Sequence, residues 1–119
     1  MPHCKVEITK NLFVKVDKKI LMQDLSQALF DTGCYEPDDI KVRLYETEHS
    51  FMGIVDQEHS YVAAEISTHD TKTEEELQRI SENVHKVLLL YFEETIGRSS
   101  ITTRVSLMEK KYYRKKVNY

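Results

Sequence analysis

Twice along 119 residues the apolar positions change their spacing from two to between three and four and back again, and each helical stretch is closed by a glycine. In His3-Cys4-Lys5-Val6-Glu7-Ile8, the residues Cys4, Val6 and Ile8 share one face and His3, Lys5 and Glu7 the other, which predicts a strand. From Asp17, a suitable N-cap, Leu21, Leu25, Ala28, Leu29 and Thr32 follow helical spacing, and Gly33 ends the run. Glu36-Pro37-Asp38-Asp39 is turn chemistry. Ile40, Val42 and Leu44 then alternate with Lys41, Arg43 and Tyr45, predicting a second strand with its cations on one face.

The same order returns after a polar connector over 46–58, read as a loop or short hairpin. There Glu48-His49-Ser50-Phe51 and Glu58-His59-Ser60-Tyr61 are too short a likeness to make a repeat. Tyr61 to Ser67 forms a third strand. Thr73-Glu74-Glu75-Glu76 is a capping box opening a helix whose stripe is Leu77, Ile80, Val84, Val87, Leu88 and Tyr91, with Gly97 ending it. Residues 100–108 make the fourth strand. Strands of one parallel pair need a right-handed crossover. Two such βαβ units therefore predict an α+β fold, β-α-β-β-α-β, with a four-stranded sheet carrying both helices on one face, as a single domain over 1–119. The other face needs a cover. With an Ala/Val-rich third strand and Ile101, Val105 and Leu107 on the fourth, a chain this short is expected to supply that cover by self-association.

Composition narrows the function classes. Twenty acids against 17 bases leave a net charge of −3, and no apolar run is long enough for a membrane span or a secretory leader, so a cytoplasmic location is expected. Cys4 and Cys34 lack the C-x-x-C spacing of a redox or zinc motif and read as reduced thiols. The five histidines show no H-x-x-x-H pair, so no metal is expected, and three isolated glycines make no phosphate loop. Tyr45, Phe51 and Tyr61 read as core or interface packing, and Cys34 lacks an evident basic partner that would make it a nucleophile.

The chemistry gathers at the amino terminus. Within a chain the proline nitrogen is an amide. If an aminopeptidase removes Met1, Pro2 becomes a free secondary amine, with an ordinary α-amine pKa of about 7.7–8.0. An apolar pocket or neighbouring cations would lower that value. The outcome is a general base poised near neutral pH, anchored by the strand that follows it.

Pro2 at the head of two βαβ units resembles the tautomerase superfamily. Met1-Pro2-His3, Leu21-Met22 through Asp31-Thr32-Gly33, Ile40-Lys41-Val42-Arg43 and His59-Ser60-Tyr61 before the capped helix resemble, in that order, the 5-carboxymethyl-2-hydroxymuconate isomerase family. The resemblance implies a homotrimer with sites near subunit boundaries, acting without cofactor or metal on an unsaturated keto or enol acid in meta-cleavage of aromatic compounds. It implies Pro2 as catalytic base, and cations that hold the substrate carboxylates at Lys41, Arg43 and Lys72. The family's arginines are lysines here at Lys41 and Lys72. An ammonium is a point charge without the two-pronged grip of a guanidinium, so substrate identity stays open.

Two other readings stand beside this one. The chain is alternatively a trimeric scaffold that binds without catalysis. Less in keeping with its acidic balance, the basic tail Lys110-Lys111-Tyr112-Tyr113-Arg114-Lys115-Lys116 interleaves cations with aromatics, as a nucleic-acid contact would; clasping a neighbouring subunit or keeping the end soluble suits it better.

Overall fold

The computed structural model describes residues 2–95 and 97–119. Strand β1 spans His3–Thr9, α1 Lys10–Phe13, α2 Lys18–Phe30, β2 Lys41–Thr47, β3 His59–His69, α3 Glu74–Phe92 and β4 Arg98–Met108. The sheet order is β2-β1-β3-β4. Each βαβ unit pairs its own strands in parallel, β1 with β2 and β3 with β4. The two units join antiparallel through β1 and β3, His3 standing opposite Ser67 and Ile8 opposite Val62.

Alternation along each strand sorts the two faces. Cys4, Val6 and Ile8 of β1 and Val62, Ala64 and Ile66 of β3 are buried with Leu21, Leu25 and Leu29 of α2 and Ile80, Val84, Leu88 and Phe92 of α3 in one core. Both long helices thus cover the same face, as expected. Asp17 caps α2 by accepting from the Ile20 amide at 3.1 Å. Thr73 and Glu76 close the reciprocal capping box on α3, at 3.2 and 2.8 Å. Thr73→Ala should therefore lower stability by about 1 kcal/mol, read from the urea midpoint at unchanged slope.

Some boundaries move. α3 ends at Phe92, so Gly97, with φ +93°, makes the turn into β4 instead of closing the helix. Gly33, at φ +77°, does follow α2 closely. The short α1 was not signalled by any apolar stripe, and residues 48–58 form no strand.

The expected cover for the second face needs a correction of its basis. Ile101 and Val105 pair with Val62 and Ile66 and pack on the helix-side core, so of the apolar residues of β3 only Tyr61 and Ala63 share the open face, and Ile101 and Val105 do not. That face instead carries His3, Lys5, Arg43, Glu65, Ser67, Arg104 and Ser106, with Arg104 and Glu65 paired at 2.6 Å and Ser67 and Ser106 at 3.3 Å. Tyr45 and Phe51 are 47% and 58% exposed and Tyr61 is half-buried, so none of the three belongs to the core of this chain.

Candidate active site

Pro2 immediately precedes the central strand β1, and its ring is fully buried. Its carbonyl accepts from the Lys41 amide at 3.1 Å, which ties it to the start of β2. Continuing the β1–β3 ladder one step beyond His3 and Ser67 brings Pro2 abreast of Thr68. Thr68 is itself buried, and its hydroxyl lies 2.8 Å from that of Tyr35; burial pushes the Tyr35 phenol up to about 12, so it stays protonated. Met1, whose removal would free the Pro2 amine, lies outside the described residues.

The predicted cations occupy two faces. Arg43 stands on the open face, where its Nη1 donates to Nδ1 of His3 at 3.3 Å. Lys41 points its ammonium to the Asp38 carbonyl at 2.8 Å and lies 5.9 Å from the centroid of the Tyr119 ring. Lys72 is on the helix side, its ammonium 5.1 Å over the Tyr35 ring and 3.4 Å from the Cys34 carbonyl. Among the described residues no hydrogen bond or ion pair links Lys72 to the other two.

Two contributors escaped the reading of the sequence. The first is the carboxyl tail, which folds back over the Pro2 end of its own chain. Lys115 pairs with Asp39 at 3.0 Å, and the Tyr119 hydroxyl donates to the Asp38 carbonyl at 3.0 Å and the Asp39 carboxylate at 3.1 Å. Those contacts hold the Asp39 carboxyl below its usual range, the Lys115 hydrogen bond foremost. Tyr113 is half-buried with its hydroxyl 3.2 Å from Nε2 of His3. The tail had signalled itself only by charge and aromatic content, which carry no information on what it packs against.

The second is His69, at the end of β3, whose ring meets Tyr113 edge-on at 5.0 Å between centroids and whose buried Nδ1 has no hydrogen-bond partner among the described residues. Burial first, then nearby positive charge including Lys110 and Lys72, lowers its pKa; burial followed by Arg43, Lys41 and Lys5 does the same for His3. Both imidazoles are therefore neutral at pH 7.

Neither cysteine is oxidised. Burial raises the Cys4 thiol to about 12, which leaves it inert. Cys34 does have a basic neighbour, Arg79 at 4.0 Å, but the Glu76 carboxylate stands closer, at 3.6 Å. No group of three His, Cys, Asp or Glu residues suited to a metal occurs among the described residues. A cavity of about 990 Å³ lies at the far end of the sheet, where Asn11, His59 and Arg98 line it. Its walls hold none of Pro2, Lys41, Arg43 and Lys72.

A family model described as 5-carboxymethyl-2-hydroxymuconate isomerase matches residues 2–119. The chain belongs to this family. A 5-carboxymethyl-2-hydroxymuconate isomerase from Deinococcus radiodurans R1 superposes with a TM-score of 0.88 at 21% identity, covering 98% of this chain and 90% of its own. A second structure, a 5-carboxymethyl-2-hydroxymuconate delta-isomerase, gives 0.84 at 16% identity, covering 99% of this chain and 89% of its own. The macrophage migration inhibitory factor-like protein of Entamoeba histolytica gives 0.66 at 12%, covering 97% and 95%. A comparison with curated proteins finds no match. At such identities the superpositions establish the tautomerase fold, and the family match places this member of the 5-carboxymethyl-2-hydroxymuconate isomerase family among isomerases. Among the described residues no helix is long and apolar enough to cross a membrane.

Proposed function

We propose that the protein is a cofactor-independent isomerase that moves a proton within an unsaturated 2-hydroxy or 2-oxo acid, with Pro2 as base once Met1 has been removed. The observation that carries this reading is the family match starting at residue 2, where the buried Pro2 is tied to β2. A buried ring beside a strand bearing Lys41 and Arg43 is an environment that disfavours an ammonium and keeps the amine available as a base. The same base then returns the proton to a conjugated carbon of the bound acid, which needs positioning more than it needs further groups.

The carboxylate ends fall to the cations. Arg43 offers the planar grip, while Lys41 and Lys72 contribute point charges. Their separation onto two faces supports a homotrimeric working form, in which a neighbour's copy of Lys72 meets Pro2 and Arg43 across a boundary; the small and charged residues of the open face suit burial against other copies. The tail reading as a nucleic-acid contact loses support, because Lys115 and Tyr119 are engaged on Asp38 and Asp39 of the same chain.

Ultraviolet assays with 2-hydroxymuconate and with phenylenolpyruvate test the proposal, alongside an intact mass that shows whether Met1 is gone. Turnover of neither acid by protein with a free Pro2 would sink it. Arg43→Ala should raise KM for the dicarboxylate by about 10- to 100-fold, in line with roughly 1.5–3 kcal/mol for a charge-assisted hydrogen bond. An unchanged KM would remove Arg43 from the site.

A further inference from the structure

The hydrogen bonds around His3 have a direction. A guanidinium only donates, so Arg43 Nη1 at 3.3 Å makes Nδ1 of His3 an acceptor. A neutral His3 must then carry its hydrogen on Nε2 and donate it to the Tyr113 oxygen at 3.2 Å. The Tyr113 hydroxyl is thus already an acceptor, and its own hydrogen has no acceptor among the described residues. Burial and the charges of Arg43, Lys41 and Lys5 all keep His3 from taking a second proton, so the direction is not reversed. The His69 ring, edge-on at 5.0 Å, fixes the Tyr113 ring in place.

We propose that Tyr113 is a catalytic hydrogen-bond donor, holding the 2-oxygen of the enol or keto acid as charge develops on it, with Arg43 and His3 orienting that donor. Pro2 is the residue next to His3, so the donor serves the strand end where the proposed base sits. The balance is simple. With an enol acid such as 2-hydroxymuconate, Pro2 takes the proton of the 2-hydroxyl and the bonding pair stays on that oxygen, to which Tyr113 hydrogen-bonds without giving up its own proton; as the pair moves through the conjugated system to a distal carbon, Pro2 returns the proton there and the 2-oxo acid is formed. A preoriented donor beside a buried site favours the transition state over the ground state.

This inference rests on the isomerase reading, and its test separates the two. Tyr113→Phe keeps the ring packed on His69 and removes only the hydroxyl. It is expected to lower kcat with 2-hydroxymuconate by about 10²-fold, the scale of losing one oxyanion donor, with a fall in melting temperature of no more than a few degrees from the lost hydrogen bond to His3. Binding supplies a readout independent of turnover. Protein carrying Pro2→Ala should bind 2-hydroxymuconate several-fold more tightly than cis,cis-muconate, which lacks the 2-oxygen, and adding Tyr113→Phe should erase that preference in calorimetric titrations. His3→Gln, which keeps a side-chain donor toward Tyr113, should retain more activity than His3→Ala. A preference that survives Tyr113→Phe, an unaltered kcat, or equal binding of the two acids before Tyr113 is changed overturns the donor. Full activity in Pro2→Ala together with a lost preference in Tyr113→Phe overturns the base assignment and leaves the donor standing.

Discussion

Pro2→Ala is expected to lower turnover of 2-hydroxymuconate by about 10²–10⁴-fold, the range contributed by one positioned general base, while leaving the fold intact. The reason is electronic. Alanine at the terminus is a primary amine with a different shape and basicity, and it lacks the ring that fills the buried place at the head of β1. The backbone bond from the Lys41 amide to the residue 2 carbonyl does not need a proline, so the strand end should keep its position. A companion measurement uses protein made with an uncleavable residue in front of Pro2: there the nitrogen is an amide with no basic lone pair, and the loss should match that of the alanine variant. Rates equal to wild type in both proteins would mean that the base lies elsewhere.

Leu88→Ala should cost about 2–5 kcal/mol, the usual toll of emptying a fully buried leucine position. Leu88 is completely buried in the stripe of α3 that also holds Ile80, Val84 and Phe92. Lost transfer energy and the cavity left between α3 and the sheet add together. Against a total stability of about 5–15 kcal/mol for a domain of this kind, that removes a large fraction of the margin, visible as a fall in melting temperature of roughly 10 °C. Leu90, two residues away and 84% exposed, is the control: its alanine variant should stay within about 0.5 kcal/mol of the parent. Similar losses at the two positions would show that α3 does not pack on the sheet as described.

The fold was legible because its signals are local. Period-two alternation in His3–Ile8, the spacing of Leu21, Leu25 and Leu29, and the Thr73–Glu76 box each arise from neighbours in sequence, and each predicted element is present within a few residues. In the sequence Gly97 reads as the stop of α3, whereas the helix stops at Phe92 and the glycine serves the next turn. The site was legible only in part. Pro2 is singled out by its own chemistry, and Lys41 and Arg43 by alternation, but nothing local to Tyr113 says that it meets His3 across 110 positions of sequence, or that the His69 ring packs on it.

What the sequence by itself determined is the pair of βαβ units, their helix-covered face and the presence of a proline at the head of the first strand; all follow from short-range periodicity and handedness. What only the tertiary structure decided is how the units meet and what surrounds the proline. Antiparallel pairing of β1 with β3 brings Thr68 and His69 to the Pro2 end, because running the strands in opposite directions places the end of one beside the start of the other. The tail then completes that end. Its contacts to His3, Asp38 and Asp39 are long-range hydrogen bonds whose partners are set by packing, and no pattern of residue spacing encodes them.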